Sequence, residues 1–401
     1  MMQAAQRAQN LPDNFFAVLN QRIAALKNEG ADVIQLDAGS PDMPPHQNLI
    51  ETLKRNADDP TKHSYGGYAG QPGLRQAIID YYGRRFGVEL EPGEVLPLIG
   101  SKEGLVNLHL AWLDPGDVSL VPDPAYPTYD IAPALAGGRA ERFSLRPERE
   151  WLPDFSTIPV ESARAARMLW LNYPNNPTGA IAPLDFLAEA VEFCRRYNIL
   201  LCHDAPYVDV TYDGYKAPSL LQIPGAKEVA IEFNSLSKTY NMAGWRIGMA
   251  VGYQPAVEAL ARVKSQIDSG LARPIQDMAA AALSGDQGWL AERNAIYQER
   301  RDLCLAALGR LGLEAGVPKG ALYVWFQAPA GQTSLQFHTY LLEKAHIALT
   351  PGHIYGANGE GWMRISLAVK TERLKEALAR LSKSNFEESA RFASDAAPFG
   401  I

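Results

Sequence analysis

Short, uninterrupted apolar segments alternate with longer amphipathic segments through the middle of this 401-residue chain. The apolar segments predict six strands: Val95–Ile99, Val118–Pro122, Met168–Tyr173, Ile199–Cys202, Val229–Phe233 and Ile247–Val251. The amphipathic segments between them predict helices such as Leu105–Leu113 and Pro183–Tyr197. Apolar strands separated by helices are typical of a mostly parallel sheet that helices cover on both faces. We therefore predict an α/β fold.

The last third of the chain has a different pattern. It is helical from about Gln254 to Leu311, with a break at 284–286. After that come three predicted strands and a closing helix: Ala321–Phe326, Ile347–Thr350, Met363–Leu367 and Thr371–Lys383. This pattern predicts a second, smaller α+β unit, to which both chain ends contribute. We expect residues 1–46 to form an arm and part of the small domain, 47–285 the large domain and 286–401 the rest of the small domain. The polar tail from 384 to 401 has no assignment.

Composition excludes several classes of function. The net charge is −7, from 38 basic and 45 acidic residues, so nucleic acid and anionic membranes are not expected as main partners. The three cysteines are scattered and form no CxxC pair, so we predict neither a metal site nor a disulfide framework. The polar first ten residues lack the apolar region of a secretory signal, and no apolar segment approaches the roughly 20 residues of a membrane span. We expect a cytoplasmic protein.

Lys238 lies just after a predicted strand, within the segment SLSKTYNMAGWRIG. Two serines precede this lysine, and Arg246 follows it by eight residues. A lysine that bonds covalently to an aldehyde needs a sheltered site that lowers its pKa. If the aldehyde carries a phosphate, hydroxyl and guanidinium donors such as those of Ser235 and Arg246 are also needed. A lone lysine at a strand end would more often be a surface residue, but the surrounding pattern favours the functional interpretation.

Other polar residues follow neighbouring predicted strands. Asp204 ends the apolar segment ILLCHD, where a buried carboxylate needs a cation such as a protonated pyridine nitrogen, although a helix N-cap is a common alternative. Tyr207 follows three residues later and could reach the same ring, or be an ordinary half-buried tyrosine. Asn176 lies in the rigid turn NYPNNPTG, which could also be a plain loop. Because the carboxyl ends of parallel strands share one edge of a sheet, we expect these side chains to meet there.

Three further candidates carry weaker signals. The segment GSKEG, with Ser101 and Lys102, opens a helix whose backbone N–H groups could hold a phosphate. Tyr126, in PAYPTY, could stack on a planar ring or pack in a proline-rich turn. Arg364 interrupts an apolar strand, where it could bind a carboxylate or face solvent from an edge strand.

Taken together, these motifs resemble the class I/II aminotransferases of the type I pyridoxal-phosphate fold, over nearly the whole chain. The resemblance is closest to the LL-diaminopimelate aminotransferases. It implies a pyridoxal 5′-phosphate cofactor, ping-pong transamination of an amino acid with a 2-oxo acid, and a homodimer with active sites at the interface. The leading donor is LL-diaminopimelate, with 2-oxoglutarate as the expected acceptor. Another donor, such as aspartate, glutamate or an aromatic amino acid, remains open, as does a carbon–sulfur lyase that shares the same cofactor residues.

The resemblance also implies a role for each candidate residue. Lys238 would bond to the cofactor and transfer the proton, Asp204 would hold the pyridine nitrogen protonated, and Tyr207 would contact the ring oxygen. The remaining cofactor contacts would come from Asn176 at the ring oxygen, Tyr126 on the ring face, and Ser101, Lys102, Ser235, Arg246 and a neighbouring subunit's Tyr65 at the phosphate. Gly39 and Arg364 would bind the α-carboxylate of the substrate.

Two segments depart from the family's pattern. One contains Arg273 and Pro274, where an apolar aromatic residue and no proline are expected, and the other contains His353 and Tyr355. Arg273 could bind a distal carboxylate of the substrate, or lie on the surface while Pro274 begins a helix. A ligand-sensing regulator with an aminotransferase fold is a further alternative, but no basic helix-turn-helix segment precedes residue 40.

Overall fold

The computed structural model describes residues 2–392 of the chain. Its strands are β1 (Ile34–Gln35), β2 (Val95–Leu98), β3 (Val118–Asp123), β4 (Arg139–Ser144), β5 (Ala166–Asn172), β6 (Leu200–Asp204), β7 (Ala230–Ser235), β8 (Gly248–Gly252), β9 (Tyr323–Gln327), β10 (Ile347–Ala348), β11 (Thr350–Pro351) and β12 (Trp362–Ser366).

The α-helices lie mostly between these strands. They are α1 (Gln6–Gln9), α2 (Phe15–Asn28), α3 (Gln47–Ala57), α4 (Pro72–Phe86), α5 (Ser101–Trp112), α6 (Thr128–Leu135), α7 (Val160–Ala165), α8 (Leu184–Tyr197), α9 (Leu236–Thr239), α10 (Gln254–Lys264), α11 (Arg273–Ser284), α12 (Trp289–Arg310), α13 (Ser334–Tyr340), α14 (Thr371–Ser382) and α15 (Phe386–Phe392).

The central sheet has seven strands in the order β2-β8-β7-β6-β5-β3-β4. The five strands from β7 to β4 in this order are parallel, whereas β8 runs antiparallel to both of its neighbours. Successive residues of a strand pack into different hydrophobic clusters: Leu169 and Leu171 join one, while Met168 and Trp170 join the other. The sheet is therefore covered on both faces, and the predicted α/β fold is confirmed.

The chain's apolar pattern does not reveal β4, which forms the edge of this sheet. Along its sequence RAERFS, Phe143 is buried while most of the other side chains are partly or fully exposed. An edge strand pairs on one side alone, so charged residues are tolerated there and discourage pairing with other chains. All six predicted strands are present, with ends that differ from the predicted ones by up to two residues.

A smaller sheet lies outside the central one, in the order β11-β12-β9, and its strands are antiparallel. An N-terminal and a C-terminal segment of the described residues meet beside it, because β1 pairs in parallel with β10. The backbone N–H of Ser366 also donates to the carbonyl of Leu36 (2.8 Å). The prediction of a smaller α+β unit that includes both chain ends is confirmed, while the boundaries at residues 46 and 285 stay a proposal.

The helical segment after residue 254 contains three helices rather than two. The predicted break separates α11 from α12, and residues 265–272 separate α10 from α11. The second interruption contains Gly270, which has a φ of +85° that favours glycine, and whose backbone N–H donates to Asp268 (2.7 Å). The unassigned tail contains α15, and its residues from 393 onward lie outside the described residues. Across 2–392, no helix combines the length and the apolar character that crossing a membrane requires.

Candidate active site

A cavity of about 610 Å³ opens at the carboxyl ends of the parallel strands. Asn172, Asp204 and Ser235 each end one of three adjacent strands and reach this cavity together. Except for Tyr65, all the predicted site residues line it: Gly39, Ser101, Lys102, Tyr126, Asn176, Asp204, Tyr207, Ser235, Lys238, Arg246 and Arg364. The short helix α9 and the loop after it carry Lys238 and Arg246 to this edge of the sheet.

Lys238 projects into the cavity from α9, whose N-cap is Ser235. The ammonium group of Lys238 donates a hydrogen bond to the carbonyl of Gly39. Burial, together with the charges of Arg246 and Arg364, lowers the pKa of Lys238 to about 8, and the opposite charge of Asp204 resists this shift. About a tenth of the amine is therefore neutral and able to accept a proton at pH 7, far more than for an ordinary lysine.

Asp204 is buried, and its two carboxylate oxygens have different surroundings. The hydroxyl of Tyr129 donates to Oδ2 (2.7 Å), whereas Oδ1 accepts no hydrogen bond from the described residues. Burial raises the pKa of Asp204 to about 6, and Tyr129 and Lys238 are among the groups that oppose this rise. A buried carboxylate oxygen without a donor is costly, so Oδ1 is suited to receive one from a ligand in the cavity.

The turn at Asn176 is tied to the strand ends by side-chain hydrogen bonds. Asn172 donates through Nδ2 to the carbonyl of Asp204 (2.6 Å), and its Oδ1 accepts from the backbone N–H of Asn176 (2.8 Å). The amide oxygen of Asn176 then accepts from Arg364 (2.7 Å). The turn is thus part of the site's framework and connects the central sheet to the smaller one.

Arg364 is buried on β12, the middle strand of the smaller sheet, so the alternative of a solvent-facing arginine on an edge strand is wrong. One of its terminal nitrogens donates to the carbonyl of Asp37 (2.7 Å) and to the hydroxyl of Thr350 (3.3 Å). Its guanidinium carbon lies 4.1 Å from the ring centroid of Tyr323, and its Nε finds no acceptor among the described residues. A buried guanidinium with a free donor is suited to bind a carboxylate.

The N-terminus of α5 forms a narrow cradle with Arg246. Gly100 precedes the helix with a φ of +73°, and no side chain caps the first turn. A Cβ at Gly100 would lie 2.4 Å from the guanidinium of Arg246, and one at Gly248 would lie 2.5 Å from the amide nitrogen of Ser101. The glycines therefore keep backbone N–H groups and a cation in close proximity, a combination that suits an anion.

Several residues at the cavity carried no role in the sequence-based prediction. Tyr323 exchanges a hydrogen bond with the hydroxyl of Tyr207 (2.8 Å). Tyr129 does not line the cavity, but its hydroxyl donates to Asp204, which does. Ser237 also lines the cavity, and its position one residue before Lys238 was a usable signal. Asp37 and Tyr323 belong to the smaller unit, and nothing in their local sequence marks them as site residues.

Tyr65 lies outside this cavity, and 82% of its surface is exposed. Its loop is held by Arg273, whose guanidinium donates to the carbonyls of Tyr65 (3.0 Å) and Thr61 (3.3 Å). Arg273 thus binds the loop that contains Tyr65 and does not line the cavity of its own chain. Pro274 is the second residue of α11.

The second departure lies close to Arg364. Tyr355 is buried, and the guanidinium carbon of Arg364 lies 5.2 Å from the centroid of its ring. His353 contacts the hydroxyl of Ser334 (3.1 Å) and the ring of Phe15, and it does not line the cavity. Tyr355 therefore supports the arginine, while His353 packs in the smaller unit.

Known proteins are similar to this sequence along nearly its whole length. The family model "Aminotransferase class I and II" matches residues 31–381. An LL-diaminopimelate aminotransferase from Dehalococcoides mccartyi is 48% identical over 97% of this chain and 100% of its own. One from Moorella thermoacetica is 49% identical over 95% of this chain and 98% of its own.

Solved structures share the fold. BacF from Bacillus subtilis in its apo form superposes with a TM-score of 0.92 at 38% identity, covering 96% of this chain and 98% of its own. A single mutant of the aspartate aminotransferase from Thermus thermophilus superposes with a TM-score of 0.90 at 30% identity, covering 96% of this chain and 100% of its own. With these matches, the resemblance noted in the sequence is confirmed: the chain belongs to the class I and II aminotransferase family, and it is an enzyme, a transferase.

Proposed function

We propose that this protein is a pyridoxal-phosphate-dependent aminotransferase that transfers an amino group from LL-diaminopimelate to 2-oxoglutarate. The donor is supported by the names of relatives that share about half of the sequence over nearly its whole length. The acceptor is our expectation from the family resemblance. One observation supports the reaction type. The same cavity contains a lysine with a lowered pKa and a buried carboxylate, one oxygen of which accepts no hydrogen bond from the described residues.

The residues in the cavity fit pyridoxal phosphate. Oδ1 of Asp204 would accept the N–H of the pyridine ring, and the cradle formed by Ser101, Lys102 and Arg246 would hold the phosphate. Tyr126 would lie against the ring, and Tyr207 would contact the ring oxygen, together with Asn176, Ser235 and the remaining lining residues. When bound, the cofactor supplies an aldehyde for the substrate amine and an electron-withdrawing ring that stabilises negative charge at the substrate α-carbon.

Individual residues of the chain then have separate roles in the reaction. Arg364 binds the α-carboxylate of the amino acid, with Gly39 beside it. Lys238, which is the predicted covalent attachment point, moves a proton at the substrate α-carbon once its amine is free. Asp204 keeps a proton on the ring nitrogen, because a carboxylate stabilises the positive charge there.

A donor screen with 2-oxoglutarate tests this function. The purified enzyme should form glutamate from LL-diaminopimelate faster than from aspartate, aromatic amino acids or other donors. Formation of pyruvate and ammonia from a sulfur-containing amino acid, without glutamate, would instead identify a carbon–sulfur lyase. Glutamate formed only from another donor would keep the transaminase assignment and reject the substrate.

Arg364 should control the affinity for amino acids rather than for the cofactor. Replacing it with lysine removes the planar pair of donors that matches a carboxylate. We expect kcat/KM for every amino donor to fall by about 100-fold, since one charge-assisted contact is worth about 1.5–3 kcal/mol. The cofactor content, read from visible absorbance, should match that of wild type. A variant with normal kcat/KM would remove Arg364 from this role.

We further propose a homodimer in which Tyr65 reaches the phosphate site of the partner subunit. Three observations support this arrangement: the Tyr65 side chain is exposed, it does not line the cavity of its own chain, and Arg273 anchors its backbone. Residues 47–285 would form the cofactor-binding domain. A cytoplasmic location remains our expectation from the sequence.

Mixing two inactive variants tests the shared site. In a heterodimer of Lys238→Ala and Tyr65→Ala chains, one site would carry both changes and the other would be intact. We therefore expect activity to return after the two proteins are unfolded and refolded together, and a dimer in sedimentation at assay concentration. An active monomer, or no recovery from mixed chains that do form heterodimers, would contradict the arrangement.

A further inference from the structure

Asp37 is a buried carboxylate at the cavity that none of the roles above uses. It lies two residues after β1, lines the cavity and is 4% exposed. Its Oδ1 accepts no hydrogen bond from any residue between 2 and 392. Leaving a buried carboxylate oxygen without a partner is costly. The position therefore suits a group that arrives with a ligand.

The local backbone explains why this side chain faces the cavity. Side chains alternate along an extended segment, and Ile34 and Leu36 pack into the hydrophobic core of the smaller unit. Gln35 and Asp37 therefore point to the opposite side, and both line the cavity. Asn20 of α2 lines the same cavity and adds a further amide group.

The neighbouring arginine does not satisfy this carboxylate. Arg364 donates to the carbonyl oxygen of Asp37, and its other contacts go to Thr350 and Asn176. Burial raises the pKa of Asp37, while its own backbone amide, Arg364 and Gln35 oppose the rise. A cation that touches Oδ1 would offset the cost of burying the charge.

We propose that Asp37 binds the side-chain ammonium group of a diamino acid donor while Arg364 binds the α-carboxylate of the same molecule. This assignment rests on the proposed transamination and names a determinant of its donor class. An ammonium group offers three hydrogen-bond donors and no acceptor, which complements a carboxylate oxygen that lacks a donor. Asn20 and Gln35 supply amide groups in the same lining.

The Asp37→Asn variant tests the proposal because it keeps the size and shape of the side chain, removes its charge and replaces one acceptor oxygen with an NH2 donor. Three donor pairs differ by the second amine alone: ornithine and norvaline, lysine and norleucine, LL-diaminopimelate and 2-aminopimelate. We compare the ratio of kcat/KM between the aminated and the non-aminated donor of each pair. For the pair with the largest ratio in wild type, this ratio should fall roughly 10- to 100-fold in the variant, the range of one charge-assisted contact. Asp32→Asn, which removes an exposed carboxylate five residues earlier, is the control and should leave all ratios unchanged.

Unchanged ratios for Asp37→Asn in all three pairs would overturn the proposal. So would a raised ratio, because it would show that the charge of Asp37 disfavours the second ammonium group. If Asp37→Asn does not fold, Asp37→Ser is measured in its place. Binding provides a second readout: calorimetry should give wild type a higher affinity for 5-aminopentanoate than for pentanoate, and the variant should lose this preference.

These results separate the inference from the proposed function. A lower ratio for lysine or ornithine, in an enzyme that does not use LL-diaminopimelate, would reject the proposed substrate and keep the role of Asp37. Activity on LL-diaminopimelate with unchanged ratios would do the reverse. If none of the donors reacts, the binding preference alone decides: its loss in the variant supports the role of Asp37, and its persistence overturns it.

Discussion

Replacing Lys238 with alanine is expected to reduce transamination by roughly 10⁴-fold or more, since it removes both the attachment point of the cofactor and the group that moves the proton. Lys238 lies in the cavity beside Asp204 and Arg364, and its lowered pKa, about 8, makes the free amine available. Attachment of pyridoxal phosphate to the cofactor-free protein should accordingly become faster as pH rises through about 8.

Borohydride reduction followed by mass spectrometry locates the attachment point. In wild type, the label should appear on the peptide that contains Lys238. The exposed Lys216 provides a matched control, because Lys216→Ala should keep both the label and the activity. A label on a different lysine in wild type, or full activity in Lys238→Ala, would overturn the reading of the site.

The central sheet could be predicted because its strands are apolar enough to be recognised alone. Strands that are buried on both faces need continuous apolar sequence, as in Met168–Tyr173, so periodicity identifies them without tertiary information. β4 lacks this property, because an edge strand buries little and carries charges. The ends of the strands are harder to predict from sequence, because polar site residues such as Asp204 also pair within the sheet.

The site could be predicted where its residues follow strands of the central sheet. Asp204 and Ser235 were found in this way, because the carboxyl ends of parallel strands share one edge. Tyr323 and Asp37 could not be found, since they reach the cavity from the smaller unit through its packing against the central sheet. The environment of Arg364 also required the structure, because a strand sequence does not tell a middle strand from an edge.

Asp204→Asn is expected to retain the cofactor and lose most of its turnover, roughly 1,000-fold, because an amide does not hold the pyridine nitrogen protonated as a carboxylate does. The amide oxygen can still accept the hydrogen bond from Tyr129, so the fold around it should persist. Visible absorbance should report bound cofactor, and single-turnover kinetics should report slow proton transfer. Near-normal turnover with cofactor bound would remove Asp204 from this role.

The same substitution should stabilise the cofactor-free protein at neutral pH. Burial raises the pKa of Asp204 from 3.8 to about 6, so between about pH 4 and pH 6 the folded state holds a proton that the unfolded chain releases. The free energy of unfolding of wild type should therefore fall as pH rises through this window, by at most about 3 kcal/mol. Asp204→Asn lacks this titration, so its higher free energy of unfolding should appear above pH 6 and vanish below pH 4 in denaturant unfolding of the cofactor-free proteins.

Bound cofactor should make wild type the more stable protein, because the ring N–H of the cofactor pairs with the carboxylate in wild type. A cofactor-free variant that is less stable than wild type at pH 8 would contradict this prediction. It would show that the protein's own groups already stabilise the ionised Asp204 carboxylate without a ligand.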